Sequence, residues 1–535
     1  MRRGAWALLV VALGLAAPTS CLKKLAELKR EREQQQQAQT GGVESRPSAS
    51  EPSPGNAPAT TPLELPEHGA AVSSRVRQDG ARRYLEVDGA PFLVLAVQAD
   101  AWAIAKPTEE AARQFRFARE VGANTIEVPI PWSHVETAQD QYSADYLRWV
   151  LDNARTNDLK LVLLWFGSNV VGKSGSPTGL QQIPEYILSN TGTYPRVSPG
   201  PARPENPLEP SSATTLDREK RAFTKLLEMT AAEDRDHRVI LWQILNEVGV
   251  LPETHVPYSE QQLTQRLVEH VRELAQLQKR IHPVPSFMNF WEGLQGAKPF
   301  EFLNGIPEID FVGPDLYGKP SIGFHIADRD YVAFKDNYLK QLDRYHQGRN
   351  LSFIPETNND EYFKPYLLVF PLLARVPGIG MDIWAITTGS MRGYQPLVDK
   401  GGEVTASGAK VREVYQALAG AMTPIVRAQG SGRIGWFLSE GAAHGQRVSV
   451  GGESLAVDTD GDGALLAARD DDGSLVVVGR KVQVTIPGEA RVVERGRFER
   501  DRFVRSAALE SSPSKSGAST FRIDTADVIR VGAAR

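Results

Sequence analysis

Two glutamates close short apolar runs: Glu247 in VILWQILNEVG and Glu356 in LSFIPETNN. Ionised carboxylates avoid apolar surroundings unless they are paired or put to use. A buried strand that ends on one is therefore a chemical signal. Two such strand ends, brought to one mouth of a barrel, would supply a proton donor and a nucleophile or base. That is the pair which glycosidic bond cleavage requires. The bland readings are a carboxylate favoured by a helix dipole for Glu247 and a salt-bridged loop residue for Glu356. They do not explain why both acids fall at the C-terminal ends of strands. Asn246, Tyr317 and Trp384 would face the same mouth as a hydroxyl-binding amide, a phenol near a carboxylate and an aromatic platform for a sugar face. Either aromatic alone reads equally well as packing. Trp165, in LKLVLLWF, and Glu136, in SHVE, join them as substrate-binding candidates; Glu127 and Glu136 serve equally as polar lining or as surface or ion-paired residues.

The elements that must position these residues alternate in type. Apolar strands are expected at FLVLAVQ, NTIEVPI, LKLVLLWF, RVILWQIL, VPSFMNF, IDFVGPDLY, LSFIP and GIGMDIWAI. Between them lie amphipathic stretches such as TEEAARQFRFAREVG and SEQQLTQRLVEHVRELAQLQKR, with Thr108 and Ser143 at N-cap positions and Gly122 at a C-cap position. Eight strands alternating with helices predict an α/β fold, a (β/α)8 TIM barrel over residues 75–423. A doubly wound sheet would not need eight units, and no G-x-G-x-x-G follows the first strand. From 424 to 535 the segments are short, alternating and separated by Gly/Asp turns, which predicts a small all-β C-terminal domain.

Several other chemistries lack their residues. A net charge of −4 without a basic stripe argues against nucleic-acid binding. GSNVVGKS, Gly167 to Ser174, matches a P-loop string, but Gly175, Pro177 and Gly179 oppose the helix that a phosphate site needs. DTDGDG at Asp458 opens like a calcium loop, yet Arg469 stands at its twelfth position; Asp-Gly hairpin turns explain it more simply. The nine histidines show no H-E-x-x-H spacing, so neither a catalytic metal nor another cofactor is expected.

The N-terminus reads as an export signal over residues 1–21. Arg2 and Arg3 precede AWALLVVALGLAA, which is too short for a permanent span. Cys21, the only cysteine, resembles the lipidated cysteine of bacterial lipoproteins, although Pro18 stands where the lipobox normally has Leu. An ordinary secretory signal cleaved nearby is the alternative. Residues 22–74, Gln-rich and then rich in Pro, Ser, Ala and Gly, read as a disordered tether. Together these segments predict an exported protein, either anchored to a membrane by lipid or secreted.

Asn246-Glu247, Glu356, Tyr317 in PDLYG and Trp384 match the pattern of clan A glycoside hydrolases. LEVDGAPFLVLAVQ, GANTIEVPIPWSHVE, LKLVLLWFGS, ILWQILNEVG and FIPET resemble the family 35 and family 42 β-galactosidase group over about residues 80–420. The resemblance implies that Glu247 is the acid/base and Glu356 the nucleophile. It further implies that Asn246 holds the sugar 2-hydroxyl, Tyr317 orients the nucleophile and Trp384 stacks under the sugar. The chain departs from family 35 at Leu245, where that family usually reads Glu. The activity so implied is retaining, exo-acting hydrolysis of a terminal β-glycoside in an oligo- or polysaccharide, with galactose as the expected sugar. An endo-β-glycanase of the same clan and a non-catalytic surface glycan-binding protein are the alternatives.

Overall fold

All eight expected barrel strands are present in the computed structural model. They are Val94–Gln98, Thr125–Pro131, Lys160–Phe166, Val239–Ile244, Ser286–Trp291, Phe311–Leu316, the split pair Ser352–Ile354 and Glu356–Thr357, and Gly378–Ile383. Residues 72–532 are described, apart from 81, 102, 169–181, 197–207, 210–211, 249–259, 292–298, 317–330, 358–364, 388–395, 489–491, 510–511 and 514–517. The N-terminal signal, Cys21, residues 22–71 of the tether, Tyr317 and nearly all of the P-loop-like string therefore lie outside the described residues, while Ser74, expected as the tether's last residue, opens the strand Ser74–Asp79.

Neighbouring strands are parallel throughout, and the two pieces of strand seven close the ring: Ser352–Ile354 pairs with strand eight, Glu356–Thr357 with strand six. Pro355 makes the break, since it has no N–H to give the ladder. Strand six accommodates the break with Gly313. A Cβ on Gly313 would stand 2.5 Å from both the Phe353 carbonyl oxygen and the Pro355 ring. The chain thus turns at Pro355 against a bare backbone, and Glu356 emerges at the mouth.

Period-two alternation sorts the barrel strands into an inner and an outer face. Val94, Phe287, Phe311 and Phe353 share one apolar cluster in the lower barrel, and Phe287 stacks on Phe311 with ring centroids 5.2 Å apart. Continuing in steps of two along the same faces reaches Gln98, Asn289 and Asp315. The lower barrel is closed by an N-terminal hairpin, Ser74–Asp79 and Arg82–Val87, which adds Leu85 and Val87 to that cluster. Ser74 Oγ donates to the Ile240 carbonyl at 2.6 Å.

The helical layer follows the capping signals with one adjustment. Thr108 caps Glu109–Glu120 by accepting from the Ala111 amide, and Gly122 follows that helix with φ +81°. Ser143 stands one residue before the cap of Asp145–Thr156, which is Ala144, and accepts from the Asp145 amide instead. After the barrel, strands from Ile434 to Val531 form a six-stranded and a five-stranded antiparallel sheet around a Val/Leu/Ile core. The Asp-Gly segment after Thr459 is not the hairpin that composition suggested. It passes from one sheet to the other, because Glu453–Thr459 and Gly463–Arg469 belong to different sheets. Asp462 there bonds Arg480 and Lys481 and receives the Tyr366 hydroxyl of a barrel helix. Among the described residues no helix is long and apolar enough to cross a membrane.

Gly313→Ala tests the closure. The added methyl forces Pro355 or Phe353 aside, at a cost of about 1–3 kcal/mol. Chemical denaturation should show that loss, and near-wild-type stability would contradict it.

Candidate active site

At the C-terminal end of strand four the backbone turns through two left-handed residues, Leu245 (φ 64°) and Glu247 (φ 43°), on either side of Asn246. Non-glycine residues hold this conformation at a cost of about 1–2 kcal/mol each. Leu245 is fully buried, so the residue that departs from family 35 packs inside. Side-chain amides hold the turn. Gln243 Nε2 donates to the Leu245 carbonyl and to Asn246 Oδ1, and the Glu247 amide donates to Asn289 Oδ1 at 2.7 Å.

Asn289, on strand five, joins strands four, six and seven. Its Nδ2 lies 3.1 Å from Asn246 Oδ1, 3.0 Å from Asp315 Oδ2 and 3.4 Å from Glu356 Oε2. An amide nitrogen carries two hydrogens, so these three oxygens compete for two bonds. Asp315 and Glu356 are register partners on strands six and seven. One carboxylate oxygen from each of Glu247, Asp315 and Glu356 lies within 4.8 Å of the other two. The structure thus brings Glu247, Glu356 and Asn246 together, and adds Asp315 and Asn289.

Like charges this close, with little water, cannot all ionise. Burial raises Glu247 to about 7, while a hydrogen bond with Asp315 pulls it back. Glu356 is pushed well above the carboxylate range by burial and by the charges of Glu247 and Asp382, with Asn289 opposing. Burial likewise raises Asp315, reinforced by Glu356 and Glu247. Three carboxylates could be bridged by a cation, but the described residues add neither the nitrogen ligands of a catalytic zinc site nor the six to eight oxygens of a calcium site. We assign this group no metal.

The remaining candidates fall in different places. Trp384 follows strand eight, half-buried, and its amide donates to the Thr357 carbonyl at 2.7 Å, next to Glu356. Trp165 points out of the barrel: it stacks on Phe223 and donates Nε1 to Glu219, both on helix Ala213–Glu233. Its place is the packing between barrel and helices. Glu136 is fully buried and accepts from Trp132 Nε1 and the Asp140 amide, and it pairs with Arg218. Its oxygens serve a loop, and no described bond links it to the carboxyl group at the mouth. Tyr317 lies outside the described residues. Sequence reasoning passed over Asn289, Asp315 and Asp382. Asp315 in FVGPDL and Asp382 in GMDIW carry the same signal as the glutamates, an acid inside an apolar strand.

These carboxyls fix how stability depends on pH. The folded chain keeps protons that the unfolded chain releases near pH 4, so their contribution is full below that value and is lost as pH rises through the folded pKa. Thermal denaturation between pH 5 and pH 9 should show a falling Tm. Glu247→Gln should remove the part of the fall between about pH 5 and pH 7. A Tm that rises over this range would contradict the assignment.

No family model and no curated protein matches the chain. Solved structures do resemble it at low identity. The β-galactosidase of psychrophilic Marinomonas ef1 is 11% identical, with a TM-score of 0.46, over 60% of this chain and 59% of that one. The chain thus spans less than two thirds of that protein's length. A family 39 glycoside hydrolase from the gut symbiont Bacteroides cellulosilyticus WH2 is 11% identical, with a TM-score of 0.45, over 84% of each chain. The exo-β-1,4-mannosidase Op5Man5 from Opitutaceae bacterium strain TAV5 is 14% identical, with a TM-score of 0.46, over 66% of this chain and 62% of that one.

Proposed function

We propose that the chain is a retaining glycoside hydrolase with Glu356 as nucleophile and Glu247 as acid/base. The observation that carries this reading is the carboxyl separation: the two glutamates bring oxygens within 4.8 Å of each other. Retaining enzymes hold their carboxyls about 5–5.5 Å apart, whereas inverting ones leave about 6.5–9.5 Å for a water. The position of both acids at the C-terminal end of a (β/α)8 barrel supports the same reading, since that face carries catalysis in this fold.

In this reaction Glu356 attacks the anomeric carbon as a carboxylate. The bond to the leaving oxygen breaks, and that oxygen takes the proton of Glu247. Water then attacks the glycosyl-enzyme, gives a proton to Glu247 and frees Glu356. The first step needs one proton on the pair, held by Glu247. Crowding enforces the single proton, because ionisation of one carboxyl opposes ionisation of the other; the reaction requires that Glu247 hold it. Asn246, tied into the same turn, supplies an amide for a sugar hydroxyl, and Trp384 an aromatic face beside Thr357.

On the sequence resemblance we propose a terminal β-galactoside as substrate and exo action, with export and lipidation at Cys21 placing the enzyme at a membrane surface. Tyr317 keeps its proposed role in orienting the nucleophile.

A panel of aryl β-glycosides, with anomeric products followed by NMR, tests the reaction. The expected product has retained configuration, and kcat/KM should fall above about pH 7 as Glu247 loses its proton. Glu356→Gln should lower turnover by at least about a thousandfold. An inverted product, or a Glu356→Gln variant as fast as the parent, would overturn the assignment.

A further inference from the structure

The barrel holds a second acid pair that this chemistry does not use. Glu127 stands on strand two and Asp382 on strand eight, either side of strand one. Register places Gln98 opposite Glu127, and Ala96 opposite Asp382, so the inward face of strand one offers only an amide and a methyl between them. Both acids are buried, Glu127 with 1% and Asp382 with 0% of its surface exposed, and their carboxyls are within hydrogen-bonding reach of each other. Glu127 Oε1 accepts from Gln98 Nε2 at 3.1 Å. Glu127 Oε2 and both Asp382 oxygens have no protein donor among the described residues.

Ionised carboxylates only accept hydrogen bonds, so contact between two of them bonds only when one carries a proton. Desolvation makes a doubly ionised pair costlier still. Glu127 is the better holder, because Asp382 and Glu356 both oppose its charge. Burial raises Asp382 too, but the neighbouring Glu127 carboxyl and Ile383 amide oppose that rise, and its charge acts on Glu356. The other groups around Glu356 are Glu247 after strand four, the neutral amide of Asn289 on strand five, and Asp315 on strand six. No cationic side chain of the described residues acts on Glu356.

We propose that Glu127 and Asp382 share one proton and act as a positioning pair, in which Glu127 keeps the proton, Asp382 keeps the charge, and that charge sets the pH at which Glu356 becomes a nucleophile. The effect on Glu356 rests on the glycosidase reading; the shared proton does not.

Two isosteric variants of the full chain separate the roles. Glu127→Gln keeps a donor toward Asp382 and leaves its charge in place, so the acid limb of the kcat/KM–pH profile should stay where the parent has it. Asp382→Asn removes the charge, and the acid limb should move about one pH unit lower. A purely structural role would lower stability in both variants and move neither limb. Infrared difference spectra give a readout that needs no activity. Glu127→Gln should delete one protonated-carboxyl band that the parent retains from pH 6 to pH 8. Absence of that band in the parent, an acid limb displaced by Glu127→Gln, or one left in place by Asp382→Asn would each overturn the proposal. If no glycoside is cleaved, the reading of Glu356 fails, while the infrared band still decides the shared proton. The band also decides if Asp382→Asn does not fold.

Discussion

Everything at the mouth of this barrel depends on crowding acidic oxygens where water is scarce. Three carboxyls from strands four, six and seven place oxygens within 4.8 Å of one another, and two more lie on strands two and eight. In water such neighbours would all ionise. In the barrel burial and mutual repulsion make protons stay, and a site that keeps one acid protonated beside one ionised is what glycoside cleavage needs. The fold supplies rigidity for this arrangement. Parallel strands fix the positions of the carboxyls, and Asn289 ties the Glu247 turn to Asp315 and Glu356.

Local strain is concentrated at the same place. Leu245 and Glu247 adopt left-handed backbone on both sides of Asn246, and strand seven is broken at Pro355, one residue before Glu356. Each departure from ideal geometry turns an acid toward the mouth. Gly313 makes the second departure feasible, because a side chain there would collide with Pro355. The two catalytic candidates are thus aimed by two different devices, a strained turn and an interrupted strand.

The barrel was legible because its strands are short apolar runs of a length that packs on both faces, separated by strongly amphipathic helices. The glutamates were legible because an acid at the end of such a run conflicts with its surroundings. The same conflict marks Asp315 and Asp382, but they sit inside the strand pattern and read there as inward or outward with equal ease. Only the register shows that they face in. Asn289 gave no signal, since a neutral amide in VPSFMNF is unremarkable until three oxygens converge on it. Trp165 shows the opposite error. It was expected to bind substrate, but alternation sends it outward to Phe223 and Glu219. The sheet-crossing turn after Thr459 escaped for a related reason, because turn residues mark a reversal without saying which sheet the next strand joins.

The central claim is that Glu356 bonds covalently to the sugar. Reaction with a 2-deoxy-2-fluoro β-glycoside bearing an activated leaving group slows release of the intermediate more than its formation. Mass spectrometry of the digested protein then reads the site directly. The account predicts one added glycosyl mass on the peptide containing Glu356, formed with loss of activity; unlabelled Glu356 in inactivated enzyme, or a label on Asp315 or Glu247 instead, would contradict it.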